Sequence, residues 1–208
     1  MSHTCPWWFG YFLLNPLRRL AQRPTRVLRP FVRPGMLVVE PGCGMGFFTL
    51  DLARMVGPDG RVVAIDLQEK MLAGRRRRAA RAGLEGRIDI RLARPDRLGI
   101  ADLSGQVDLV LAFYVVHEIR EPAAFFAEVA AALKRGGAVL VVEPPLHVPR
   151  AAFEASLSVA ERAGLRVAGR PRIGPNKVAL LEKHAGPAPE ARSAQRPAPP
   201  HPSSHLRM

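Results

Sequence analysis

Five short, largely apolar runs punctuate the middle of the chain: Met36–Glu40, Arg61–Asp66, Ile88–Leu92, Val107–Ala112 and Ala138–Glu143. Several are apolar almost without interruption, the pattern of strands covered on both faces rather than one. Between and after them lie segments of helical period, Phe47–Val56, Glu69–Ala82, Pro122–Lys134 and Pro149–Ala163, broken by Gly-Pro, Ala-Gly and Gly-Gly pairs. Strands alternating with helices over short connections close into a parallel sheet with right-handed crossovers and helices on both faces. After Gly164, two more β-type runs, Leu165–Ala168 and Val178–Glu182, follow with no helix between them and predict a closing hairpin. The expected class is α/β.

At 208 residues, 48 % of them hydrophobic, the chain supports one domain with a sizeable core. Its expected organisation is an N-terminal aromatic and basic segment over 1–35, a central domain over 36–184 and a disordered Pro/Ala-rich tail over 185–208. Lys and Arg number 31 against 18 Asp and Glu, a net charge of +13. The excess lies in residues 1–35 and 70–94, which makes a nucleic-acid or membrane-surface partner conceivable and proves neither. Two cysteines without a CxxC pair argue against a disulfide framework or a Cys-based zinc site, so no metal is expected. No apolar run has the roughly 18–20 residues of a spanning helix, and Trp7–Leu14 lacks the flanks of a signal peptide. The expected setting is the cytoplasm.

The sharpest chemical signal is Glu40-Pro41-Gly42-Cys43-Gly44-Met45-Gly46, between the first strand and the first helix of the alternation. Alternating glycines turn the backbone tightly and let a ligand lie against main-chain N–H groups. A dinucleotide fingerprint, GxGxxG, needs glycine at position 47, where Phe47 stands. The loop instead reads ExGxGxG. Asp66 ends the second strand, where a carboxylate accepts ribose hydroxyls.

Together with Ala64-Ile65-Asp66-Leu67, the strand Val107–Ala112 and Lys134-Arg135-Gly136-Gly137, this loop resembles the class I S-adenosylmethionine-dependent methyltransferases, and more closely small bacterial quinone-biosynthesis-like members. The resemblance covers Met36 to Lys183. It implies a Rossmann-like, seven-stranded sheet of order 3-2-1-4-5-7-6 with the last strand antiparallel, and S-adenosylmethionine as cofactor with S-adenosylhomocysteine as product. It further implies that Glu40, Gly42 and Gly44 line the methionine part, Asp66 holds the ribose and Leu67 packs on adenine, with Cys43, Gly46, Ala93 and Phe113 completing the cofactor contacts. After the third strand the sequence departs from the family's pattern. In Leu92-Ala93-Arg94-Pro95-Asp96, either a shifted Asp96 or a backbone group holds the adenine amino group.

Methyl transfer from a sulfonium needs alignment first and a base only for some acceptors. His117, after the fourth strand, is the candidate base because imidazole titrates near neutrality, with Tyr114 beside it. Glu143 faces the acceptor or is an exposed strand-end acid. Glu118, adjacent to His117, reads as a surface or capping group. Trp7, Trp8 and Tyr11 belong to an aromatic cluster that reads as a lid over the acceptor or a strap on the sheet, with a membrane-surface anchor over residues 7–29 as a third reading. Arg75-Arg76-Arg77-Arg78 reads as a solvated outer helix. No (D/N)PP(Y/F) signature or Pro-Cys pair follows the fourth strand, and two cysteines are too few for arsenic-type acceptors. The expected substrate is a small apolar or aromatic molecule, methylated at O or C by a monomer or homodimer. Alternatives are an RNA- or protein-directed enzyme docking through its arginines, and a cofactor-binding protein without transfer activity.

Overall fold

The computed structural model describes residues 24–44 and 46–183. Trp7, Trp8, Tyr11 and the tail from residue 184 lie outside them. Seven strands form one sheet: β1 (Leu37–Pro41), β2 (Arg61–Asp66), β3 (Ile88–Leu92), β4 (Val107–Phe113), β5 (Leu133–Glu143), β6 (Leu165–Gly169) and β7 (Lys177–Lys183). The order is β3-β2-β1-β4-β5-β7-β6. The first five strands pair in parallel, and β7 runs antiparallel to both β5 and β6, the expected hairpin. Strand order reverses between β1 and β4, and open sheets of this kind bind ligands at the carboxyl ends of the strands there.

Period-two alternation decides which residues serve which face. Val38, Val62, Ala64, Leu109, Leu111 and Leu140 pack against α1 (Pro24–Leu28), α2 (Thr49–Met55) and α3 (Glu69–Arg81). Val39, Val63, Ile65, Val110, Ala112, Val139 and Val141 pack against α4 (Pro122–Ala132) and α5 (Arg150–Arg162). The strand cores are thus apolar on both faces, which is why the sequence runs show no polar alternation. From the N-terminal segment, Leu28 and Val32 are buried in the α1–α3 layer.

The largest departure from the expected boundaries lies between α4 and β5. The helix predicted to reach Lys134 ends at Ala132, and β5 starts at Leu133 rather than Ala138. Fully buried Leu133 pairs with Val107, and the register then jumps so that Ala138 pairs with Leu109. Lys134–Gly137 is therefore a bulge inside the strand, not a turn before it. Gly136 takes a φ of +74°, and a Cβ at Gly137 would lie 2.7 Å from the Val107 carbonyl oxygen.

Candidate functional site

The glycine loop leaves β1 and enters α2 under tight backbone control. Gly42, Gly44 and Gly46 have φ of +64°, +49° and +82°, the region that disfavours a side chain. A Cβ on Gly42 would stand 2.4 Å from Val115 Cγ2, so the loop lies directly against the segment that follows β4. Cys43 donates its backbone N–H at 3.1 Å and its thiol at 2.8 Å to the Ile65 carbonyl. Burial pushes that thiol well up from its ordinary pKa, which makes Cys43 a packed anchor and not a nucleophile.

Two carboxylates frame the loop. Asp66 Oδ2 accepts the Gly44 N–H at 2.7 Å and Oδ1 the Gln68 N–H at 2.9 Å. Glu40, 4 % exposed, accepts the Thr49 hydroxyl. Burial raises the Glu40 carboxyl to about 7; nearby Arg75 and the Thr49 hydrogen bond oppose the rise, and Asp66 adds to it. Beside them the adenine-side candidates take different positions. Leu67 and Leu92 are 48 % and 56 % exposed at the ends of β2 and β3, and half-buried Ala93 donates its N–H to the Asp66 carbonyl. Asp96 is exposed and turned to Arg97, which holds its carboxyl below the usual range.

Beneath the loop the structure corrects the solvated-helix reading of the arginine run. Arg76, Arg77 and Arg81 are exposed, but Arg75 is 0 % exposed. Arg75 Nη2 donates to the Gly44 carbonyl, and Arg78 Nη1 to the Gly46 carbonyl at 3.3 Å. The signal was present in the sequence. Met71, Leu72, Arg75 and Ala79 share the buried face of α3 at helical spacing, so Arg75 stands on an apolar stripe.

The ends of β4 and β5 bring His117 and Glu143 together. Glu143 is not an exposed strand-end acid: it is 1 % exposed, and its Oε2 lies 2.5 Å from His117 Nδ1 while Oε1 accepts the His117 backbone N–H at 3.2 Å. The His117 side chain is 19 % exposed. The Glu143 hydrogen bond raises its pKa above the ordinary 6.5 against the effect of partial burial. The His147 ring stands edge-on to it, centroids 5.1 Å apart. Exposed Glu118 is close enough to Asp66, Glu143, His117 and His147 to feel their charges, and partial burial raises its carboxyl. Its exposure agrees with a surface group. Tyr114 adopts a left-handed φ of +59°, donates its N–H to Val142 O at 2.8 Å and its hydroxyl to Asn176 Oδ1 at 2.7 Å. Edge-on and tilted ring contacts run from Phe47 through Phe48 and Phe113 to Tyr114, with centroids 4.4–4.9 Å apart.

Glu40, Asp66, Glu118 and Glu143 all stand at or just beyond the carboxyl ends of the central strands. This edge repels a pyrophosphate and suits a ligand carrying positive charge and ribose hydroxyls. The residues present therefore fit S-adenosylmethionine: Asp66 for ribose, Glu40 for the ammonium, and the glycine backbone against the chain between them. Among the described residues, no group of three or more His, Cys, Asp or Glu is placed to hold a metal ion. No helix among them is long and apolar enough to cross a membrane.

Comparison with known proteins agrees. A family model described as a methyltransferase domain matches residues 38–137. Demethylmenaquinone methyltransferase of Lactococcus lactis is 30 % identical over 125 residues, 58 % of this chain and 48 % of that protein. Nocamycin O-methyltransferase of Saccharothrix syringae is 37 % identical over 95 residues, 46 % of this chain and 32 % of that protein. The chain thus spans about half or less of these relatives' length. The crystal structure of a SAM-dependent methyltransferase from Aquifex aeolicus superposes with a TM-score of 0.75 over 86 % of this chain and 98 % of that one, at 24 % identity, and speaks for the fold. Sheet order and glycine loop are those of a Rossmann-like methyltransferase fold. With the match over residues 38–137, they support a class I S-adenosylmethionine-dependent methyltransferase domain.

Proposed function

We propose that the chain methylates a small apolar or aromatic molecule at oxygen or carbon. The observation that carries this reading is the His117–Glu143 pair, two residues past the Val115 that packs on Gly42. On this reading the imidazole serves as a base at the rim of the cofactor loop. Bound S-adenosylmethionine supplies an electrophilic methyl on a sulfonium that leaves as a neutral thioether. Glu143 fixes the imidazole by accepting Nδ1–H, and Nε2 then carries the lone pair that takes a proton from a phenolic, enolic or similarly acidic acceptor. Its raised pKa makes the imidazole a stronger base once deprotonated. Phe113 and Tyr114 offer an apolar, partly open wall beside it. The two relatives' names, a demethylmenaquinone and a nocamycin methyltransferase, point the same way.

The test begins with calorimetric titration of S-adenosylhomocysteine into the wild type and an Asp66→Asn variant. Loss of one ribose acceptor is expected to weaken binding by roughly 1–3 kcal/mol, about tenfold to a hundredfold. No wild-type binding on folded protein would refute the cofactor reading. A methyl-transfer screen over phenols and quinols follows, in which His117→Gln is expected to lower the rate and leave S-adenosylhomocysteine binding unchanged. Exposed arginines on α1 and α3, among them Arg26, Arg76, Arg77 and Arg81, favour RNA as the second reading. A steep salt dependence of binding to an RNA pool would select it.

A further inference from the structure

We infer that Arg75 is the receptor for the carboxylate of the cofactor's methionyl end, a proposal that rests on the S-adenosylmethionine reading above. Arg75 is the one buried cation among the described residues. Of its guanidinium nitrogens, Nη2 donates to the Gly44 carbonyl, whereas buried Nε and Nη1 have no hydrogen-bond partner among the described residues. Buried polar groups are almost always paired, and a charged donor left without an acceptor is among the most costly departures from that rule. Two such donors on one planar group have the fork geometry that matches a carboxylate. Their position says which carboxylate. A Cβ on Gly46 would lie 3.3 Å from Arg75 Nε, so the guanidinium abuts the last glycine of the loop. Glu40, whose field Arg75 shares, accepts from the Thr49 hydroxyl, which lies 3.4 Å from that same Gly46 position. A buried carboxylate and a buried guanidinium beside one glycine loop complement the ammonium and carboxylate of an amino-acid head.

The loop itself closes over Arg75. Gly44 is held from both sides, its N–H by Asp66 and its carbonyl by Arg75. A ribose hydroxyl on Asp66 takes the place of the Gly44 N–H there, and the release of Gly44 uncovers Nε and Nη1 for the carboxylate. The same displacement thus opens both halves of the site. The competing role is neutralisation of Glu40 alone, in which Arg75 never meets a ligand.

The two roles separate by titrating S-adenosylmethionine and its decarboxylated form, which lacks only that carboxylate, into the wild type, Arg75→Met and Arg75→Lys. Thermal unfolding of each checks the fold. The wild type is expected to prefer the carboxylated ligand by about tenfold or more, as a charge-assisted pair requires. Arg75→Met should bring the two affinities to within roughly threefold, and Arg75→Lys should retain part of the preference. If Arg75→Met fails to fold, Arg75→Lys decides by the same ratio. Equal weakening of both ligands, with the preference intact, overturns the proposal in favour of neutralisation. Equal wild-type affinity for both overturns it and leaves the cofactor reading standing. A wild type that binds neither ligand overturns both.

Discussion

Glu40 couples the cofactor site to the stability of the fold, and Glu40→Gln exposes that coupling. The carboxyl is buried under the glycine loop, with Arg75 and the Thr49 hydroxyl favouring its ionised form and Asp66 opposing it. Burial wins and moves it from 4.5 to about 7. The folded chain therefore holds a proton that the unfolded chain releases at the ordinary value. This group's contribution to stability is full below 4.5 and is lost as the pH rises through about 7. At about 1.36 kcal/mol per pH unit, the loss between pH 5 and pH 8 is roughly 2–3 kcal/mol. Glutamine does not titrate. Its fixed cost, including the weaker company it offers Arg75, is the same at both pH values and cancels from the comparison. The stability of Glu40→Gln relative to wild type should then rise by roughly 2–3 kcal/mol from pH 5 to pH 8, about 4–12 °C in melting temperature for a chain of this size.

Urea unfolding of both proteins at half-unit pH steps reads the effect directly. Other groups titrate in both proteins and drop out of the difference to first order. Parallel stability curves from pH 5 to pH 8 would refute the reasoning, because Glu40 would then be ionised throughout and Arg75 would outweigh burial. A ligand consequence follows with the same sign. A cation bound at Glu40 drives off its proton, so affinity for S-adenosylmethionine should climb with pH up to about 7 in the wild type and lose that dependence in the variant.

Two further perturbations test the neighbouring parts. In proton NMR, His117 should titrate above the ordinary 6.5, and Glu143→Gln should lower its midpoint, since the Glu143 hydrogen bond is the main cause of the rise; an unchanged midpoint would mean that the pair does not form in solution. The stability the pair supplies is present below 6.5 and fades as pH rises through the raised value. Gly42→Ala would bring a methyl 2.4 Å from Val115 Cγ2 at a φ of +64°, and should destabilise the fold by roughly 1–3 kcal/mol. Val115→Ala in the same chain should recover part of that loss in thermal unfolding, and no recovery would deny the contact.

Most of the fold was legible because its determinants are local. Short, β-branched apolar runs such as Val62–Ile65 and Val139–Val142 suit strands covered on both faces, and the glycine alternation from Gly42 to Gly46 has few other uses. The strand over 138–143 was read from its apolar half alone. Its start at Leu133 depends on a pairing with Val107 across 26 residues, and a pattern confined to one segment does not carry that. The same limit hid Glu143. Whether a strand-end acid is exposed or buried depends on what the neighbouring strand delivers, and here β4 delivers His117. Arg75 is a different case. Its place on the Leu72–Ala79 stripe was readable, but four arginines in succession mask the one that faces inward.

The charges of the site also explain why its loop is closed as it stands. Asp66 is satisfied by Gly44 and Gln68, and Glu40 by Thr49 with Arg75 nearby. Each acid that would serve a ligand is thus already served by the chain, through groups that chemically resemble the ligand's own: N–H donors for the ribose hydroxyls, a guanidinium for the ammonium. Such stand-ins keep buried carboxylates from lying unpaired, which would cost several kcal/mol each. They also set a limit on affinity, because every contact the cofactor makes replaces one the loop gives up, and only the surplus appears as binding. Arg75 is the exception to this balance. It enters the exchange with two donors unfilled, so a carboxylate there fills two donors where the release of Gly44 gives up one bond, that of Nη2 to its carbonyl.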